Sequence, residues 1–84
     1  MILPFRSRRK QVLARVSLLE RMGEEAYDKM YDARRPQDDW RDAREAFSEA
    51  IYLAEKAGLL AEAQRLQKRL DHIRSVYTHQ FAQP

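Results

Sequence analysis

Residues Asp38 to Leu60 read DDWRDAREAFSEAIYLAEKAGLL, and this stretch decides the fold class. Trp40, Ala43, Phe47, Ala50, Ile51 and Ala54 recur at three and four, the spacing of one helix face. Ala46, Leu53 and Ala57 widen that face, and Arg41, Arg44, Glu45, Ser48, Glu49 and Glu55 make the solvated remainder. Gly58 stands where many helices end on a left-handed residue. So short a connection into the next apolar run forces an antiparallel hairpin. The spacing predicts a helix over about 39–57, with Asp38 or Asp39 as its N-cap, because a short carboxylate accepts the free first-turn amides.

Outward from this stretch the same period continues. Downstream, Leu59, Ala63, Leu66, Leu70, Ile73 and Tyr77 form a narrow coiled-coil-like seam, predicting a helix over about 59–78 and a frayed tail over 80–84. Upstream, Val12, Val16, Leu19, Gly23, Ala26, Met30 and Ala33 form a third stripe, widened by Leu13, Tyr27 and Tyr31 on one side and Met22 on the other. It predicts a helix over about 7–34, ended at Arg35 because a residue before proline is pushed out of the helical region. Gly23 leaves two readings: another backbone approaches closely there, or the segment breaks into two helices. One continuous or mildly bent helix is the preferred reading. Together the three segments predict an all-α chain, a three-helix antiparallel bundle.

Composition agrees. Ala, Leu, Glu, Gln, Arg and Lys dominate the 84 residues, and the three prolines lie at positions 4, 36 and 84, away from helix middles. There is no cysteine, which excludes disulfides, thiolate metal sites and cysteine chemistry and fits a reducing compartment, so a cytoplasmic protein is expected. No apolar run approaches the roughly 20 residues of a membrane span. A chain this short buries only about 60% of its unfolded surface, so a partner subunit is a natural source of stability. Charge is unevenly spread. Residues 1–22 carry six bases against Glu20, net +5; residues 23–45 carry net −3; residues 46–84 carry net +1. The chain reads as a basic arm, residues 1–10, on a mixed-charge body of residues 7–79. The arm has two structural readings: a structured basic helix running into the first apolar stripe, or an acid-free targeting segment of the mitochondrial kind.

Tyr27, Met30, Trp40, Ala43, Phe47 and Ala50 carry a resemblance. The stretch Glu24–Ala57 resembles a tetratricopeptide repeat, whose helix pairs recur every 34 residues. Tyr27 and Met30 stand where that family has its first aromatic and leucine, Trp40 where an aromatic opens the second helix, and Ala43, Phe47 and Ala50 match its Ala-x-x-x-Phe-x-x-Ala core. The chain departs from the pattern at Tyr31, Arg34 and Glu55, where the family carries glycine, tyrosine and proline. Ala63, Leu66 and Leu70 look like the first helix of a further repeat, making one and a half repeats. The layout is also similar to the microtubule-interacting-and-trafficking domain, three helices with a groove for partner helices. The repeat resemblance implies a partner groove lined by Asp28, Asp32 and Arg35 from the first helix and Gln64, Lys68 and Asp71 from the third.

No pattern argues for catalysis, a cofactor or a metal. Gly-rich phosphate loops, nucleophile elbows and His-Glu-x-x-His are absent. His72 and His79 are seven apart, and Arg69 rather than an acid stands three before His72, so both read as surface histidines. Asp38/Asp39 read as caps and Glu24/Glu25 as a solvated turn. Tyr52 sits among the polar residues of its helix and reads as an interface aromatic. Arg6, Arg8, Arg9 and Lys10 could neutralise phosphates, and with Ile2, Leu3 and Phe5 could touch an anionic membrane surface, or could simply solubilise the terminus. The expected function is therefore a non-enzymatic protein–protein interaction module, adaptor or scaffold, with a protein or peptide partner. Nucleic-acid or anionic-surface binding through the arm is the alternative. The wide stripe of the first segment also suggests a homodimer through the 7–34 helix.

Overall fold

The computed structural model describes residues 4–82, with side chains from Arg8 onward. The chain is an all-α, three-helix bundle: α1 spans Pro4–Met30, α2 Pro36–Lys56 and α3 Leu60–Val76, and a π-helical turn follows over Tyr77–Phe81. α1 and α2 make the largest packed interface, and α3 packs on α2 and lies beside α1. No helix among the described residues is long and apolar enough to cross a membrane.

Each predicted seam is buried. Val16 and Leu19 of α1 pack in one cluster with Phe47, Ala50, Ile51 and Ala54 of α2 and with Ala63, Leu66, Leu70 and Ile73 of α3, and Ala26, Met30, Ala43 and Ala46 are buried as well. α1 runs unbroken through Gly23, so the continuous reading holds and the two-helix reading does not. What comes close at Gly23 is a ring rather than a backbone. A Cβ there would stand 2.5 Å from Cε2 of Phe47, itself fully buried. The glycine costs helix propensity of up to about 1 kcal/mol, and the closer α1–α2 packing over Phe47 offsets it.

Both ends of α2 are set by backbone chemistry. It starts at Pro36, three residues before the predicted start, with Arg35 extended at φ −126° and ψ 77° and no side-chain cap. Proline at the first helical position has no amide to leave unpaired and a ring already set for the helix, which is why neither Asp38 nor Asp39 is the N-cap. They lie inside the first turn, where carboxylates suit the positive end of the helix dipole. At the other end Gly58 takes φ +76°, the Gly58 amide donates to the Glu55 carbonyl at 3.0 Å and the Leu59 amide to the Ala54 carbonyl at 2.8 Å. This is a Schellman closure, with Leu59 and Ala54 both buried beneath it.

Two boundaries differ from the sequence reading. α1 ends at Met30, not Arg34, because its last amides shift to carbonyls three residues back (Tyr31 to Asp28 at 3.3 Å, Asp32 to Lys29 at 3.1 Å) and the helix unwinds into the 31–35 link. At the far end the chain does not fray after His79 but continues as the π turn through Phe81. That turn stacks Tyr77 on Trp40 (ring centres 5.3 Å apart, 13° between planes) and sets Phe81 edge-on to Tyr31 at 5.1 Å. Arg44 and Arg74 lie 5.9 and 5.8 Å from the Trp40 ring, closing the bundle end with cation–π contacts.

Candidate functional site

α1 has one flank facing α3 and another facing away from it, and the two differ in chemistry. On the α3 side, Arg65 donates Nη1 to Glu20 at 2.7 Å and Nη2 to the other oxygen of the same carboxylate at 2.9 Å. One turn on, Arg69 grips Glu24 with Nε at 2.6 Å and Nη2 at 2.8 Å. Both pairs join residues 45 apart in the chain, so they are successive rungs between two parallel, in-register helices. Glu62 adds a second carboxylate to Arg65 at 2.9 Å. The ladder continues into aromatics: Arg69 lies 5.3 Å from the Tyr27 ring, and the Tyr27 hydroxyl is 3.2 Å from that of Tyr31.

The ladder leaves marks on its titrations. The hydrogen bonds from Arg65 hold the Glu20 carboxyl below its usual 4.5, against the opposing pull of burial. Their partners move the other way, Arg65 through its bonds to Glu20 and Glu62 and Arg69 through its bond to Glu24, so both guanidiniums stay charged at any working pH. The Tyr27 phenol is pushed up to about 12, first by its hydrogen bond to Tyr31 and then by burial.

On the far side, a cleft of about 380 Å³ is lined by residues of α1 and α2. Its floor is Leu19, Met22, Ala26 and Ala46; its walls are Glu25 and Lys29 from α1 and Asp39, Asp42, Glu45 and Glu49 from α2. The acids here are poorly neutralised. Glu49 meets Arg15 at 3.6 Å and Asp42 meets Arg41 at 3.8 Å, both exposed, and Glu25, Asp39 and Glu45 have no ion pair among the described residues. Met22 is 48% exposed beside this floor, and Leu18, one turn earlier on the same flank, is 37% exposed. An apolar floor with mostly acidic walls can seat a helix that brings its own apolar line and cations.

The predicted groove residues do not converge. Asp28 lies near Arg69 on the ladder side, Asp32 is exposed in the link, and Arg35 turns to Asp38 at 3.4 Å. Gln64 lines a separate, shallow cleft against Ile51 and Glu55 of α2. Asp71 accepts from Gln67 at 3.0 Å and Arg74 at 3.1 Å on its own helix, and Lys68 is exposed. The α3 residues that meet α1 are Arg65 and Arg69, one position round from Gln64 and Lys68.

The other sequence candidates are simpler to place. Tyr52 is 57% exposed, with the Lys56 ammonium 5.7 Å from its ring. Arg8, Arg9 and Lys10 are exposed on the first turns of α1, and successive positions turn by 100°, so they point to different sides. The Arg6 side chain, Ile2 and Leu3 lie outside the described residues. His79 hydrogen-bonds the Ser75 carbonyl through Nδ1 at 2.8 Å, and His72 is exposed. Glu24 and Glu25 are helical, not a turn, and face opposite flanks of α1.

Comparison with protein-family models, with curated proteins and with solved structures gives no match.

Proposed function

We propose that the chain is a non-enzymatic protein–protein interaction module whose docking face is the α1–α2 cleft. The observation that carries this reading is the cleft's pairing of an apolar floor, continued outward by the exposed Met22, with carboxylates that have few cations near them. The α1–α2 helical hairpin is the packing unit that the tetratricopeptide resemblance implies. In a stack of such hairpins each unit contacts its neighbours on both flanks. Here α3 covers one flank and the cleft lies on the other. The occupant would be an amphipathic helix laid in the groove and oriented by charge. Nucleic-acid binding through Arg8, Arg9 and Lys10 has less behind it, because their cations do not share one face.

The test is capture with variants. Wild-type chain, Asp42→Lys/Glu45→Lys and the control Lys68→Glu are used as baits from the same lysate, after circular dichroism shows equal helicity. A protein held by wild type and the control but lost by the cleft variant supports the reading. A protein held equally by all three baits, or none held by any together with a wild type that does not self-associate, contradicts it.

A further inference from the structure

Seven positions on the open flank of α1 repeat at three and four: Arg8, Gln11, Arg15, Leu18, Met22, Glu25 and Lys29. This is the spacing of a coiled-coil seam. It runs beside the buried seam of Val12, Val16, Leu19, Gly23, Ala26 and Met30 but is itself exposed. α1 thus carries two seams and spends one of them on its own bundle.

The order of chemistry along the open seam is self-complementary. Its middle is apolar, its N-terminal third is cationic, and its C-terminal third ends at the acid-walled cleft. Turned end for end against itself, the seam sets Leu18 against the partner's Met22 and Arg15 against the partner's Glu25. Gln11 then meets the partner's Lys29. Asp42 lines the same cleft as Glu25, so each Arg15 would enter a cleft that holds both carboxylates.

We propose that a second copy of this chain fills the cleft, α1 against α1, antiparallel about a two-fold axis near Leu18 and Met22. Each copy's Arg15, held to its own Glu49 by a single exposed contact at 3.6 Å, turns instead to the other's cleft. Such an interface is isologous, so every favourable pair is made twice. It follows from the docking role proposed above and names the cleft's occupant. Residues 1–22 and 23–45 carry opposite net charge, +5 and −3, and the antiparallel pairing brings the two blocks together. The parallel alternative would set like blocks side by side.

The decisive experiment is sedimentation equilibrium on the purified full chain with two charge-reversed variants, Arg15→Glu and Glu25→Lys/Asp42→Lys. All altered side chains are exposed or line the open cleft, and thermal melts in dilute solution check that each variant folds. Wild type should be dimeric at concentrations where each variant alone is weakened by about tenfold or more. An equimolar mixture of the two variants should regain the wild-type affinity, because the hybrid restores opposite charges at both symmetric sites. A wild type that stays monomeric to about 1 mM overturns the proposal. So does a dimer that neither variant weakens, or a mixture that does not recover. These measurements involve no outside protein, so they fail or succeed separately from the capture experiment on the docking role.

Discussion

The two flanks of α1 use the same residue types to opposite ends. Toward α3, Glu20 and Glu24 each receive a two-pronged guanidinium at 2.6–2.9 Å. Away from it, five carboxylates surround a cleft with Lys29, and the nearest ion pairs are single contacts at 3.6 and 3.8 Å. A face whose charges are matched within the chain has little left to offer a partner. A face that gathers like charge over an apolar floor pays a repulsion that only an incoming cation removes. Neighbouring residues Glu24 and Glu25 stand on the two sides of this division.

The strongest way to break the comparison is to disturb what both flanks stand on. Gly23→Ala would drive a methyl into the buried Phe47 ring, and overpacking of this kind costs about 1–3 kcal/mol. Urea unfolding should show the loss, and both flanks should fail together. A neutral or stabilising result would mean that Phe47 has room to move. Next in size is the Glu24 and Glu25 pair itself. Glu24→Ala leaves the half-buried Arg69 without its carboxylate and should cost about 1 kcal/mol. Glu25→Ala should fall within about 0.5 kcal/mol of wild type or stabilise slightly, by removing like charge. Equal costs at the two positions would erase the distinction between the flanks.

Acid titration sharpens the same contrast. Glu20 has its folded pKa below the ordinary 4.5, so it binds its proton less readily in the fold than in the unfolded chain. Its contribution to stability is present above about pH 4.5 and is lost as pH falls through the lowered value. The melting-temperature gap between wild type and Glu20→Gln should therefore close in acid. A gap unchanged by acid would show that the ladder contact is not ionic. The smallest effect lies at the alkaline end. With its folded pKa raised to about 12, the neutral Tyr27 phenol favours the fold below about pH 10, and that contribution is lost as pH rises toward 12. Tyrosinate absorbance should show one late-titrating phenol, and Tyr31→Phe should bring it earlier. A late titration that Tyr31→Phe leaves unmoved would contradict the Tyr27–Tyr31 hydrogen bond.

The core was legible in the sequence because burial leaves a local period. Phe47, Leu66 and Ile73 were placed by spacing alone, and Gly58 marked its turn by being the one residue type suited to φ > 0. The two flanks were not legible, for different reasons. The Glu20–Arg65 and Glu24–Arg69 rungs join residues 45 apart, and nothing local couples them. The cleft acids were visible but were assigned to local tasks: Asp39 to a cap, Glu25 to a turn, and Glu45 and Glu49 to solvent. Their shared face emerges only when the second period of α1, beside the buried one, is set against α2. The implied partner groove over Gln64, Lys68 and Asp71 depends on a finer register. A shift of one position on a helix turns a side chain by 100°, and the repeat pattern does not fix α3 to that accuracy.

If α1 docks protein on its α2 flank, as proposed, and is complete on its α3 flank, self-association should disturb the first flank alone. Amide chemical-shift mapping of the labelled chain from about 20 μM to 1 mM tests it most directly, because self-docking is a mass-action effect. The account predicts concentration-dependent shifts at Arg15, Leu18, Met22, Glu25, Asp42 and Glu45, with Glu62, Arg65 and Arg69 unmoved. Shifts centred on the ladder residues or on the cleft at Gln64, or a spectrum that does not change with concentration, would contradict it.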